Sequence, residues 1–252
     1  MATPVSDDPI PLATGRDVDF VTGHQDDELL MMGWALTHHV LAGRRANLVL
    51  ASDGSTSAAL GMLRGETSSG WWGGKHYPAR EGYALLTPAD LSAARDLEYI
   101  GSGMECGLPL ERIHLNVDTR GPGINVDQAR ALLLARREQA PDAGVYTHHW
   151  DDIDPTHAAL GEALLELHTE SPSDWPDVRW MVRPEQIGDI TGALQYGVPG
   201  TYYDRAKVLL TKAARHYASW APRQGRFGAG YHSVGLSLFS KLLTQPNYYV
   251  KP

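Results

Sequence analysis

The sequence contains very little cysteine, no excess of basic residues and no long apolar run. Cys106 is the single cysteine among 252 residues, which excludes a disulfide framework and a thiolate zinc cluster, so any metal must use histidine and carboxylate ligands. Acidic residues outnumber basic ones by 30 to 22, and the net charge of -8 argues against a nucleic acid or an anionic membrane as partner. No apolar stretch approaches membrane-spanning length, so we expect no membrane span.

Several functional signatures are also missing. The first predicted strand is not followed by G-x-G-x-x-G, and G-x-x-x-x-G-K-[ST] occurs nowhere, which counts against a nucleotide-binding module. Residues 1–16 form a polar, proline-containing segment without the basic and then apolar pattern of a secretory signal, and we expect them to be a loop. With 42% hydrophobic residues, the chain of 252 residues is expected to fold as one cytoplasmic α/β domain.

Short apolar strands alternate with amphipathic helices along most of the chain. The predicted strands are 17–22, 47–51, 113–117, 144–147 and 178–182, and the predicted helices are 27–42, 88–100, 126–139, a helix from 155, and 203–220. This alternation predicts a Rossmann-like, doubly wound, mostly parallel sheet with helices on both faces. We expect the core at about 17–182 and a C-terminal helical and loop appendage at about 183–252, which folds back as a cap.

The first strand-to-helix turn concentrates polar side chains where an open α/β sheet binds its ligands. It holds His24, Asp26, Asp27 and Glu28 in direct succession. Acidic residues there can cap the helix and complement its dipole, which explains one aspartate and Glu28 but neither His24 nor the second aspartate. Imidazole and carboxylate together are a ligand set suited to zinc. The turn is therefore consistent with a metal site or with a helix cap.

A second polar cluster occupies the same kind of position. The segment from His148 to His157 follows a predicted strand and precedes an apolar helix. Asp154 followed by Pro155 is typical of an N-cap and the first helical residue, which places His157 in the first helical turn. Both clusters are thus expected at the same edge of the sheet.

With these residues the sequence resembles the LmbE-like (PIG-L) zinc-dependent N-deacetylases. The family pattern A-H-P-D-D-E corresponds to Gly23-His24-Gln25-Asp26-Asp27-Glu28, and H-x-D-H corresponds to Asp154-Pro155-Thr156-His157. Three further family motifs occur between them in the right order, namely Ser52-Asp53-Gly54, Arg64-Gly65-Glu66 and Arg95-Asp96-Leu97-Glu98. The resemblance covers about residues 18–167 and implies hydrolysis of an acyl group, acetyl in the family, from an N-acylated amino sugar conjugate or a similar small metabolite.

The resemblance also implies roles for individual residues. Zn²⁺ would be bound by His24, Asp27 and His157, and Asp26 would be the general base. The chain departs from the second motif, because Asp154 stands where the family has a histidine that assists at the amide oxygen. Asp154 is consequently interpreted as an N-cap, a fourth ligand or a second catalytic group. His148, His149 or His232 could replace the missing cationic donor.

Other residues are candidates for substrate binding, with simpler alternatives. Trp71 and Trp72 could form a lid over a sugar ring, or could instead pin the long segment 58–86 or make a subunit contact in a homo-oligomer. Arg95 and Glu98 could brace the cleft or form an exposed ion pair. The full set of substrate-binding candidates is Arg64, Arg95, Asp118, Trp71, Trp72, His148 and His232. Alternative functions are hydrolysis of a non-sugar amide or an ester, and a non-catalytic binding module.

Overall fold

The computed structural model describes residues 17–252, except for the side chains of 235–238 and 240, so the predicted N-terminal loop lies outside the described residues. The strands are β1 (Asp17–Thr22), β2 (Arg45–Leu50), β3 (Ile113–His114), β4 (Gly144–His148), β5 (Val178–Val182), β6 (Leu194–Gln195), β7 (Trp220–Ala221), β8 (Arg226–Phe227) and β9 (Tyr248–Val250). The helices are α1 (Asp27–Leu30), α2 (Gly33–Leu41), α3 (Ala59–Leu63), α4 (Pro78–Glu81), α5 (Pro88–Glu105), α6 (Val126–Gln139), α7 (Pro155–Glu170), α8 (Gly200–Tyr217) and α9 (Ala229–Lys241).

The main sheet has the order β3-β2-β1-β4-β5-β9-β6. Its first five strands are parallel, whereas β9 runs antiparallel to both β5 and β6. This arrangement confirms the predicted α/β class with a mostly parallel sheet. The carboxyl ends of β1, β4 and β5 therefore meet at one rim of the sheet, which is where the two polar clusters begin.

The sheet is covered on both faces, as its uninterrupted apolar strands require. Along β1, Phe20 belongs to the core cluster that includes residues of α2 and α8, and the next residue, Val21, belongs to the cluster that includes residues of α6 and α7. Both side chains are completely buried, since successive strand residues face opposite sides. Among residues 17–252, no helix is both long and apolar enough to span a bilayer.

The predicted helix 88–100 extends to Glu105, and the predicted helix 203–220 is shifted to Gly200–Tyr217, with Trp220 in β7. Two other predicted elements differ by more than their ends. The predicted helix 27–42 is divided into α1 and α2, and α2 begins at Gly33. A Cβ atom at Gly33 would lie 2.7 Å from the Leu210 side chain, so glycine allows α8 to pack closely there. The predicted strand 113–117 pairs only over β3, because Asn116 adopts a left-handed conformation with φ of 52° that turns the chain away.

The C-terminal segment contributes more to the fold than an appendage of helices and loops. Besides α8 and α9, it supplies β9 and β6, which extend the sheet beyond β5. Helix α8 packs against α2 and α5, and its Tyr217 is fully buried. The C-terminal segment and the core segment therefore share one hydrophobic core cluster.

One buried ion pair links the sheet to α6. Asp19 on β1 is 1% exposed and accepts hydrogen bonds from Arg136 Nε at 3.0 Å and from Asn47 Nδ2 at 2.6 Å. Arg136 is itself only 7% exposed. Removing one member of such a pair leaves an uncompensated buried charge, which is far more costly than losing an exposed pair.

We expect Arg136→Met to lower the free energy of unfolding by about 3 kcal/mol or more, because Asp19 would remain buried without its cation. The measurement is urea denaturation followed by circular dichroism. Arg130→Met is the matched control, because Arg130 lies on the same helix but pairs with Glu166 and Glu170 at the surface, and it should change stability little. Equal losses for both variants would contradict the assignment of the buried pair.

Candidate metal centre

The turn after β1 is held in an unusual backbone conformation. Asp26 has φ of 116°, a value that side-chain-bearing residues rarely adopt. Its backbone N–H donates to Glu28 Oε2 at 3.0 Å, and Glu28 Oε1 in turn accepts from Ser102 and Tyr217, each at 2.6 Å. Glu28 is completely buried, and this burial raises its pKa to about 7. The turn is thus held by the buried Glu28 carboxyl group, which is itself hydrogen-bonded to α5 and α8.

Three potential ligand atoms converge above this turn. His24 Nδ1 lies 3.0 Å from His157 Nε2, His157 Nε2 lies 3.0 Å from Asp27 Oδ2, and His24 Nδ1 lies 3.7 Å from Asp27 Oδ2. Atoms bound to a single tetrahedral zinc ion at roughly 2.0–2.1 Å are separated by about 3.3 Å. Two imidazole nitrogens and a carboxylate oxygen at these separations fit one zinc ion. We call His24, Asp27 and His157 the ligand triad.

The start of α7 brings His157 to the triad. Asp154 is the N-cap, with Oδ1 accepting from the backbone N–H groups of Thr156 at 2.9 Å and His157 at 3.3 Å. The helix N-cap predicted for Asp154 is therefore present. The ring of His157 packs against Gly23, where a Cβ atom would lie 2.5 Å from His157 Cδ2. Glycine at position 23 thus allows the His157 ring to lie this close to the first turn.

Asp152 orients His157 from the side opposite the triad, a role that sequence reasoning did not assign. Its Oδ2 lies 3.3 Å from His157 Nδ1 and has no other hydrogen-bond partner, although it is buried. A proton on Nδ1 satisfies this oxygen and leaves the lone pair of Nε2 for a metal. Burial opposes a charge on His157, but Asp27 and Asp152 outweigh it and raise its pKa to about 10. In the sequence, the only indication of this role is that Asp152 is an aspartate two residues before the N-cap Asp154.

His148 is an alternative third ligand that fits less well. Its Nε2 lies 3.5 Å from Asp27 Oδ2 and its ring stacks on His157 with centroids 3.6 Å apart. However, Nε2 already accepts the backbone N–H of Gly23 at 2.9 Å, so its lone pair is occupied. Burial, followed by the neighbouring His157, moves the pKa of His148 well below its usual range, consistent with a neutral acceptor.

Asp26 lies next to the triad but has other partners. Its Oδ2 is 3.2 Å from Arg95 Nη2 and accepts from Ser233 Oγ at 3.2 Å. Burial raises the pKa of Asp26 to about 6, and the neighbouring Arg95 limits the shift. Arg95 also donates to the carbonyl of Gln25. Asp26 is therefore a buried carboxyl group whose ionisation lies near neutral pH, as a general base requires.

The pKa of Asp27 shifts in the opposite direction. Burial would raise it, but the charges of His157 and then His148 outweigh burial and lower the pKa well below its usual range. Adjacent carboxyl groups with pKa values displaced apart are suited to different tasks, one as a permanent anion and one as a proton acceptor.

A cavity of about 320 Å³ opens beside the triad. Its wall contains all three ligand residues and Asp26, together with side chains from the carboxyl-end loops of the sheet and from the region of α9. Its charged and polar lining also includes Asp154, Arg95, Arg183, Ser233 and Lys241.

Comparison with known proteins identifies the family. A sequence model of PIG-L, described as GlcNAc-PI de-N-acetylase, matches residues 20–168, which include both turns of the site. The chain belongs to the PIG-L family. Members of this family are hydrolytic N-deacetylases, and this enzyme class is assigned to the chain with it. No protein with a curated description matches the chain.

Solved structures share the fold at low sequence identity. A triple mutant of a deacetylase of the teicoplanin biosynthetic pathway superposes with a TM-score of 0.57 at 14% identity, covering 93% of this chain and 96% of that one. The N,N'-diacetylchitobiose deacetylase from Pyrococcus horikoshii gives a TM-score of 0.51 at 14% identity, covering 88% and 75%. The 4-carboxy-2-hydroxymuconate hydratase GalB from Pseudomonas putida gives 0.52 at 12% identity, covering 94% and 97%. The fold alone thus accommodates more than one reaction.

The PIG-L motifs between the two turns take part in the site to different degrees. Arg95 reaches Asp26 and lines the cavity, whereas Arg64 donates to the carbonyl of Leu86 at 2.6 Å and lies outside the lining. Glu98 is fully buried and accepts from the N–H groups of Ala229 at 2.6 Å and Gly230 at 3.0 Å, which anchors the start of α9. The pair on α5 therefore holds the base and α9 in place rather than forming an exposed ion pair.

The remaining substrate-binding candidates lie outside the cavity lining. Trp71 packs against Tyr231 and His232, and Trp72 stacks on His76 and Trp220, so both tryptophans join the segment 58–86 to the C-terminal part of the chain. The candidates that do not line the cavity are Arg64, Trp71, Trp72, Asp118, His148 and His232.

The histidines considered as replacement cations are likewise engaged elsewhere. His232 Nδ1 lies 2.7 Å from Ser69 Oγ, His149 stacks on Trp150 with ring centroids 4.0 Å apart, and His148 lies buried beneath the triad. None of the three lines the cavity.

Substitution of Asp154 separates its cap from any role in the chemistry. Asparagine caps a helix as well as aspartate does, so Asp154→Asn should retain the wild-type melting temperature, whereas Asp154→Ala should lose about 1 kcal/mol of stability. Asp154 lies in the cavity wall with a carboxylate oxygen within 4.8 Å of a ring nitrogen of His24 and of one of His157. We therefore expect both variants to lose at least about tenfold in turnover. Wild-type turnover in Asp154→Asn would leave Asp154 as a cap only.

Proposed function

We propose that this protein is a zinc-dependent hydrolase that removes an acetyl or related acyl group from the amine of an N-acylated amino sugar conjugate or a similar small metabolite. The observation that supports the proposal most strongly is the ligand triad beside a buried carboxyl group that does not belong to it. This arrangement occurs in a chain of the PIG-L family, whose members are N-deacetylases.

The proposed division of labour follows from the geometry. When bound to His24, Asp27 and His157, zinc would polarise the amide carbonyl and acidify an attacking water. Asp26, ionised near pH 7, takes a proton from that water and later returns it to the leaving amine. Arg95 and Ser233 hold the carboxylate of Asp26 in place, at 3.2 Å each, while the reaction proceeds.

The size and lining of the cavity support a small substrate. Its volume of about 320 Å³ lies at the lower end of the range for small-molecule sites. The wall combines Asp154, Arg183 and Ser57 with the apolar side chains of Leu30 and Val234. Such a mixture suits a compound with hydroxyl groups and one acyl group, such as an acylated sugar.

A hydrolase acting on a non-sugar amide or an ester is the second candidate. It is favoured by the second motif, in which Asp154 and Thr156 replace the histidine and aspartate of the family pattern. Assays of purified protein against N-acetylated amino sugars, N-acetylated amino acids and acetate esters distinguish the two. Activity confined to esters or to non-sugar amides would overturn the sugar assignment while leaving the hydrolase in place.

Removal of a triad histidine should abolish metal binding without unfolding the protein. We expect His24→Ala and His157→Ala each to lose stoichiometric zinc, measured by elemental analysis, because each retains only two of the three ligands. His216→Ala is the control, since that histidine lies on α8 near Glu105, outside the cavity lining. Full zinc content in either triad variant would show that the assigned ligands are wrong.

Asp26→Asn should retain zinc and lose about 10²–10⁴-fold in kcat, because the amide cannot accept the proton. Asparagine tolerates the left-handed backbone of this position, so the fold should be unaffected. In the wild type, kcat/KM should fall as pH decreases through about 6, where Asp26 becomes protonated; bound zinc would move this limb lower. A wild-type rate in Asp26→Asn would mean that the base lies elsewhere.

A further inference from the structure

Hydrolysis of an amide places negative charge on the carbonyl oxygen, and hydrogen-bond donors aimed at that oxygen lower the barrier. A carboxylate at position 154 cannot donate in this way. Among the described residues that line the cavity, the cationic side chains are Arg95, Arg183 and Lys241.

Two of these cations are unsuited to the role. Arg95 already contacts the Asp26 carboxylate and the carbonyl of Gln25, and Asp26 must remain paired with it during proton transfer. Lys241 is exposed at the C-terminal end of α9. An exposed ammonium group is well hydrated and contributes little directed stabilisation.

Arg183 differs from both in its position and in its partial exposure. It follows directly after β5, and thus stands at the rim of the sheet that also carries the triad. Its Nη2 lies 3.3 Å from Asp152 Oδ1, and this ion pair holds the guanidinium beside the ring of His157, whose Nδ1 is 3.1 Å from Nη2. Its side chain remains 27% exposed and lines the cavity, although its Nε is buried. A partly exposed planar cation therefore lies in the cavity wall beside the triad.

We propose that Arg183 donates to the carbonyl oxygen of the substrate and stabilises the oxyanion formed during hydrolysis. This inference rests on the proposed deacylase function. In the first step, the water oxygen bonds to the carbonyl carbon, the carbonyl π electrons move to the oxygen, and the water proton passes to Asp26. In the second step the oxygen lone pair re-forms the C=O bond, the C–N bond breaks, and the proton passes from Asp26 to the departing nitrogen.

If Arg183 has only a structural role, it holds Asp152 in place, and Asp152 in turn orients His157. A double-mutant cycle separates the two roles. We expect Arg183→Met to lower kcat/KM by about 10²–10³-fold with zinc content unchanged. We expect it still to lower kcat/KM by about tenfold or more in Asp152→Asn, whose amide oxygen can accept from the guanidinium. If Arg183 acts only through Asp152, the loss disappears in the Asp152→Asn background, and the proposal is overturned.

A binding measurement provides the readout that is independent of turnover. The ligand is a methylphosphonamidate analogue of the acetamide that the wild type hydrolyses, because its tetrahedral, charged oxygens mimic the oxyanion. Arg183→Met should weaken binding of this analogue about as much as it lowers kcat/KM, while binding of the amine product stays within twofold of wild type. Arg183→Lys, which retains the charge but not the planar donors, should recover part of both losses.

The controls separate failure of this inference from failure of the proposed function. Lys207→Met removes one exposed positive charge from α8 and should leave all parameters unchanged. An active wild type whose Arg183→Met variant binds the analogue normally would overturn the role of Arg183 alone. The role of Arg183 is also overturned if Arg183→Met raises KM without lowering kcat, and does so only for substrates that carry an anionic group. Arg183 would then bind that anionic group instead of the oxyanion. A zinc-loaded wild type without any deacylase activity would overturn the proposed function together with this inference.

Discussion

The hydrogen bond from the Asp26 backbone to Glu28 supports the geometry of the whole site. Asp26 sits in a left-handed conformation that costs about 1–3 kcal/mol and persists only when the surrounding structure holds it. Glu28 provides that hold from a fully buried position, where it also accepts from Ser102 on α5 and Tyr217 on α8. The consequence is functional, because the twist at Asp26 sends one carboxylate toward the triad and the other toward Arg95.

Charges at the rim of the sheet are arranged in pairs that share neighbours. Asp26 contacts Arg95, Asp27 contacts His157, and Asp152 contacts both His157 and Arg183. In a buried setting each carboxylate needs such a partner to remain ionised. Burial raises the pKa of Asp26 to about 6 even beside Arg95, whereas at Asp27 the charges of His157 and His148 outweigh burial and lower the pKa. This separation of the two pKa values is what acid–base chemistry at neutral pH requires.

The C-terminal segment depends on the same helices that hold the site. Glu98 on α5 accepts the first backbone N–H groups of α9, and α9 returns Ser233 to Asp26. A change in how α9 packs on α5 would therefore move Ser233 and alter its hydrogen bond to Asp26, since Ser233 lies one helical turn after the residues that Glu98 binds. The match to the family model ends at residue 168, so Arg183 and Ser233 lie outside the matched residues.

Local pattern was sufficient for much of this structure. Apolar runs predicted β1, β4 and β5, and the Asp154-Pro155 pair predicted the start of α7, because caps and strands depend on neighbouring residues. The ordered motifs also indicated the family and the residues of the triad. Tertiary structure decided the rest. Short strands such as β9 form only because β5 offers an edge, and the contacts of Asp152 and Arg183 join loops that sequence spacing does not relate.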